Sequence, residues 1–146
     1  MARPRSRPRR RWGSFPTTAD MGVWAAGASP RELFEALGLS LFAVLTDLRS
    51  VRPRLERAVS ASAEDPTALA VTFLNELLGL QQTDGFLART ISVRLVGEPP
   101  TALLASVRGE IFDPDRHPSR VEVKAVTLHA AQVDLARGRA RLIVDI

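Results

Sequence analysis

Lys124 is the only lysine in a chain with twenty basic side chains, and the other nineteen are arginine. An ammonium is compact, rotates freely and changes its pKa readily when desolvated, whereas a guanidinium is a wide planar fork that stays charged. The general preference for arginine fits GC-rich coding. Lys124, inside the alternating run VEVKAVTLHA, is then either a position that needs an ammonium or a chance survivor. Two acids also stand out. Asp20 ends the stretch TTAD just before a strand-like run, where an aspartate commonly caps a turn. Asp145 lies in the apolar run LIVDI beside Ile146, so its carboxylate neighbours the terminal one. Negative charges that close repel unless they are solvated or a cation lies between them. An oxygen-only donor set would favour a hard ion such as Ca²⁺ or Mg²⁺ over zinc. A frayed, hydrated end is the plainer reading.

No other catalytic arrangement emerges. The sequence has no glycine-rich phosphate loop, no HExxH, no nucleophile-elbow serine and no cysteine, which excludes disulfides and thiolate metal sites. Each of its two histidines, His117 and His129, reads as a loop or strand side chain with a local hydrogen bond. No apolar run reaches the roughly 20 residues of a membrane-spanning helix.

The net charge of +4 comes from one end. The first twelve residues, MARPRSRPRRRW, hold six arginines and no acid, leaving a formal −2 for residues 13–146. A proline-interrupted arginine run neither forms a helix nor buries apolar surface. We therefore expect a disordered arm over 1–12, with phosphate contact as its main functional reading and an export signal, matched only in its arginines, as a lesser one, and a single domain over 13–146.

Two helices and several strands would position these groups. Ser29, Pro30 and Glu32 form a cap, first-turn proline and capping box, followed by a stripe of Leu33, Leu37, Leu41, Val44, Leu45 and Leu48. Asp65 and Pro66 open a second helix with the stripe Leu69, Phe73, Leu77 and Leu80, ended by TDG at 83–85; Asn75 and Glu76 fall off it and read as solvent-facing. Residues 14–26 read as one extended segment, strand-like in GVWAA, and VRPRLERAVSASA is a weaker strand. From Phe86 the period becomes two, giving strands LARTISVRLVG, TALLASVRGEIF, VEVKAVTLHAAQVDLA and RARLIVDI. The expected class is α+β, two helices packed on a mostly antiparallel sheet.

Four ordered blocks resemble the archease family: FPTTADMGVWAAGASPRELFEALGLSLFAVLTDL, TFLNELLGL, RGEIFDPDRHPSRVEVKAVTLHAAQV and LIVDI. They match that family's HTAD block and Ser-x-x-Glu helix start, its FLNELL helix, its GE…D…RH…VKAVTYH segment and its terminal aspartate-isoleucine. The resemblance implies an archease-like fold and a cytoplasmic accessory protein rather than an enzyme. Its partner would be an RtcB-type RNA ligase of tRNA splicing and RNA repair, whose guanylylation and multiple turnover it promotes. It also implies a divalent cation, Ca²⁺ first and Mg²⁺ or Mn²⁺ as alternatives, on Asp20, Asp145 and Ile146, with Lys124 required for activation. RNA would be met indirectly, or through the arginine arm, and no membrane is involved. Thr17 replaces the family's HTAD histidine, and Leu128 its TYH tyrosine, a change expected to affect only packing. The rival readings are a metal-dependent phosphoesterase using the same carboxylates, and an RNA-binding or chaperone module using the arm.

Overall fold

The capping residues do what their chemistry suggests. In the computed structural model, which describes residues 11–18 and 20–146, Ser29 Oγ accepts the Glu32 N–H at 3.2 Å. The Glu32 carboxylate reaches back to the Ala28 N–H at 3.0 Å. Helix α1 runs over Pro30–Leu45 from that box. Asp65 Oδ1 accepts the Ala68 N–H at 2.8 Å and starts α2, Pro66–Asp84, which ends on Gly85 at φ 71°. The apolar stripes of both helices are buried except for the half-buried Leu80, and Leu48 is buried beyond α1 in the 3-10 turn Leu48–Ser50; Phe34, Phe42, Phe73 and Phe86 are among the largest fully enclosed side chains. Burying each such ring is worth about 2–3 kcal/mol.

Seven strands complete the fold of the described residues: β1 Trp12–Pro16, β2 Met21–Ala26, β3 Leu55–Ser62, β4 Phe86–Val96, β5 Ala102–Ile111, β6 Ala125–Asp134 and β7 Arg139–Asp145. They form two sheets rather than one, ordered β1-β2-β7-β6 and β3-β5-β4, with every pairing antiparallel. Each helix touches both sheets, so one core is shared between the two layers. The α+β class expected from the sequence is the class observed. Along β7 the residues Ala140, Leu142 and Val144 face the core, and Arg139, Arg141 and Asp145 are exposed.

Two strand expectations change. The segment over 14–26 belongs to an antiparallel hairpin of β1 and β2, with Pro16 opposite Met21. Val121–Lys124 lies outside β6, which begins at Ala125. The reason is competition for backbone groups: the Arg120 and Val121 N–H groups donate to Leu45 O and Val44 O at 3.1 and 3.3 Å. Those carbonyls belong to the last turn of α1, which has no helical partner for them. Most of the arginine arm, residues 1–10, lies outside the described residues. The described fold includes Trp12, paired with Ala25 in the first strand.

Candidate functional site

Met21 pairs with Val144, so the chain entering β2 brings Asp20 alongside Asp145 at one end of the four-stranded sheet. Adjacent cross-strand residues have Cβ atoms about 5 Å apart and share a face. On the other side of β7, the Lys124 N–H donates to Asp145 O at 2.7 Å, and Ala125 pairs with Asp145. Three of the sequence candidates, one of them more than a hundred residues from the other two, thus meet where β2 and β6 begin and β7 ends, with Ile146 directly following. Lys124, Asp145 and Ile146 are exposed and Asp20 is half-buried.

Asp20 sits in the β1–β2 turn, where the Thr17 N–H donates to Asp20 O at 3.2 Å and Thr17 Oγ1 accepts the Asp20 N–H at 3.0 Å. Thr17 thus holds the aspartate's backbone by a short hydroxyl. Among the described residues, neither the Asp20 nor the Asp145 carboxylate accepts a hydrogen bond or pairs with a cation, and the Lys124 ammonium has no ion pair. No group of three or more His, Cys, Asp and Glu side chains among them is arranged to hold a metal. A cation here would therefore need a third oxygen beyond the two aspartates, the one expected from Ile146. Two unpaired carboxylates on one face fit a hard, oxygen-seeking ion and offer nothing to a soft one.

The approach of Lys124 to this end is set by contacts the sequence reading passed over. Asn75, read as solvent-facing, is exposed, yet its side-chain amide pairs both ways with Val126. Nδ2 donates to Val126 O at 2.9 Å and Oδ1 accepts the Val126 N–H at 2.9 Å. β6 is an edge strand, and this amide substitutes for a missing neighbouring peptide. Gln82, two turns further along the same face of α2, donates to Val123 O and Lys124 O at 3.3 and 3.1 Å. The signal was available: an amide side chain beside an apolar helical stripe points to an edge-strand partner.

Upstream, the block RGEIFDPDRH builds a latch. His117 is buried; its Nδ1 accepts the Asp113 N–H at 2.8 Å, which leaves the ring proton on Nε2, 2.7 Å from Glu110 Oε1. The same oxygen accepts the Arg52 N–H at 3.0 Å and pairs with Arg116. Burial pushes the Glu110 carboxyl upward, but the hydrogen bonds from Arg116, the Arg52 N–H and His117 outweigh it and hold the pKa at about 2. Gly109 is required beside it, because a Cβ there would lie 1.8 Å from Leu87 O, at the bulge in β4. The local hydrogen bonding expected of His117 is observed. His129 is exposed in β6, and Leu128 is 62% exposed, so its exchange for tyrosine does not touch the core.

An antiparallel α+β protein that gathers two carboxylates and a lone ammonium at one sheet end can be placed among known families. Residues 12–146 match the model of the Archease protein family. Protein archease of Thermococcus gammatolerans is 39% identical over 141 residues, covering 94% of this chain and 99% of the relative. Protein archease of Pyrococcus furiosus is 34% identical over the same shares. The solution structure of Methanobacterium thermoautotrophicum protein 1598 superposes with a TM-score of 0.80 at 32% identity, covering 94% of this chain and all of that one. The chain belongs to the archease family. No helix among the described residues is long and apolar enough to cross a membrane.

Proposed function

We propose that this protein is an accessory activator of an RtcB-type RNA ligase, promoting its guanylylation and multiple turnover without being an enzyme itself. The observation that supports this reading most is the convergence of Asp20, Asp145 and Lys124 at one end of β2, β7 and the lead into β6. Asp20, Asp145 and the Ile146 carboxylate would hold a divalent cation there, which supplies fixed positive charge for nucleotide phosphates. Lys124, exposed and without an ion pair among the described residues, would present its ammonium to the docked ligase as a point donor. An arginine fork at that position is too wide and planar to substitute. Asn75 and Gln82 hold the backbone on both sides of Lys124, so the ammonium starts from a fixed base.

The test is a ligation assay with RNA ends in large excess over the cognate ligase. Wild-type protein should convert a single round into many, and Lys124→Arg should lose at least tenfold in stimulation with an unchanged circular dichroism spectrum. Stimulation by Lys124→Arg equal to wild type would remove Lys124 from the mechanism. No stimulation by the wild type would remove the whole reading.

A further inference from the structure

The face of the four-stranded sheet turned away from the helices carries a second charged surface, at the opposite end of the strands from Asp20 and Asp145. A groove of about 830 Å³ is lined by Arg11, Arg137, Arg139, Arg141 and Trp24, with Asp134 its only acidic side chain among the described residues. Residues 13–146 carry a formal −2, so three of their thirteen arginines gathering in one groove runs against the charge of the body. Strand register explains the gathering. Arg141 lies between Trp24 on β2 and Gln132 on β6, and Arg139 lies between Ala26 and Asp134. This makes a row across three strands: an indole, a guanidinium and an amide. The indole is backed by Gly13, where a Cβ would meet the Trp24 ring at 2.5 Å. Beside the row, the Arg141 guanidinium sits 5.4 Å from the centre of the Phe15 ring. That ring in turn covers Gly22, where a Cβ would meet it at 2.0 Å. Arg137 is engaged with Asp134 at 3.8 Å and Arg11 with Glu32 at 3.4 Å. Arg139 and Arg141 have no carboxylate partner among the described residues, and both are exposed.

We infer that this groove binds a single-stranded polynucleotide, with Arg139 and Arg141 on its phosphates and Trp24 beside its bases. Unpaired arginines supply the electrostatic part, as in other grooves that follow a phosphate backbone. Aromatic and guanidinium planes supply the stacking part, which requires bases free of a duplex. An acidic peptide would use the arginines but gain nothing from the indole or from the Gln132 amide. The inference needs neither the ligase nor the cation, and stands apart from the function proposed above.

The experiment is fluorescence anisotropy of a labelled ten-nucleotide oligouridylate titrated with the full chain, at several salt concentrations. The variant Arg139→Ala/Arg141→Ala should bind about tenfold or more weakly, and its salt slope should fall by about 1.4, the value for two phosphate contacts on a single strand. The control Arg94→Ala/Arg108→Ala removes the same charge from exposed positions on the other sheet and should bind like wild type. Wild-type tryptophan emission should be quenched by the oligonucleotide, and Trp24→Phe should lose most of that quenching. Equal weakening in the control variant would reduce the effect to net charge and overturn the proposal. So would unchanged affinity in Arg139→Ala/Arg141→Ala, or binding of a duplex or of polyglutamate as tight as that of the single strand.

Discussion

Replacing Glu110 with glutamine should destabilise the protein by an amount the latch itself predicts. Glutamine keeps a carbonyl oxygen where Oε1 accepts from the Arg52 N–H and His117, but it carries no charge for Arg116, so it imitates the protonated acid. Folding lowers the Glu110 pKa from 4.5 to about 2. At about 1.4 kcal/mol per unit, the ionised form contributes about 3 kcal/mol at neutral pH. Arg116 is about a third exposed, with 32% of its side chain accessible, so solvent screening trims this toward about 2 kcal/mol. The sign follows from the direction of the shift. A depressed carboxyl pKa stabilises above the unfolded value of 4.5 and loses that contribution as pH falls toward 2. Urea denaturation should thus show a gap of about 2–3 kcal/mol between wild type and Glu110→Gln near pH 7, shrinking by more than half near pH 3. The thermal midpoint should drop by roughly 8 °C at neutral pH. A gap below about 0.5 kcal/mol, or one that keeps its size across that pH range, would show that the charge on Glu110 does not hold the latch.

The edge of the sheet offers a second measurement. Asn75→Ala removes both hydrogen bonds to Val126 and should cost about 1–2 kcal/mol. Amide exchange at Val126 and its neighbours should accelerate in step, and unchanged protection there would count against the amide as a strand substitute. The carboxylate pair predicts ion-dependent stability: Ca²⁺ at one hundred times its dissociation constant should add about 2.7 kcal/mol to wild type. Asp20→Asn/Asp145→Asn should remove that increment without lowering the ion-free midpoint, because those carboxylates make no hydrogen bond or ion pair among the described residues. If the double variant keeps the Ca²⁺ response, the ion binds elsewhere.

What could be read from the sequence divides along a physical line. The helices were legible because their determinants are local: Ser29 with Glu32, Asp65 with Pro66, and stripes whose spacing matches one turn. Strand periods were legible too, but pairing was not, since β1-β2-β7-β6 joins segments more than a hundred residues apart. Lys124 shows the limit most clearly. Its residue type marked it out, and the alternation of VEVKAVTLHA placed it mid-strand, yet the unpaired carbonyls of Val44 and Leu45 draw Arg120 and Val121 away from the sheet. Local pattern cannot weigh a helix end that lies seventy-five residues back in the chain.

The same contacts connect the latch to the candidate site. Glu110 and His117 fix the loop whose Pro118 O accepts Thr46 Oγ1 at 2.8 Å; Arg120 and Val121 then cap α1, and Gln82 receives the chain at Val123 and Lys124. The conspicuous block RGEIFDPDRHPSRVEVKAV is therefore one continuous brace, with its histidine and acid buried at the start and its ammonium exposed at the end. A His-Glu pair of this kind invites a catalytic reading from sequence. Its burial, and the use of both ring nitrogens inside the protein, instead give the pair a structural role in fixing the loop at the start of that brace.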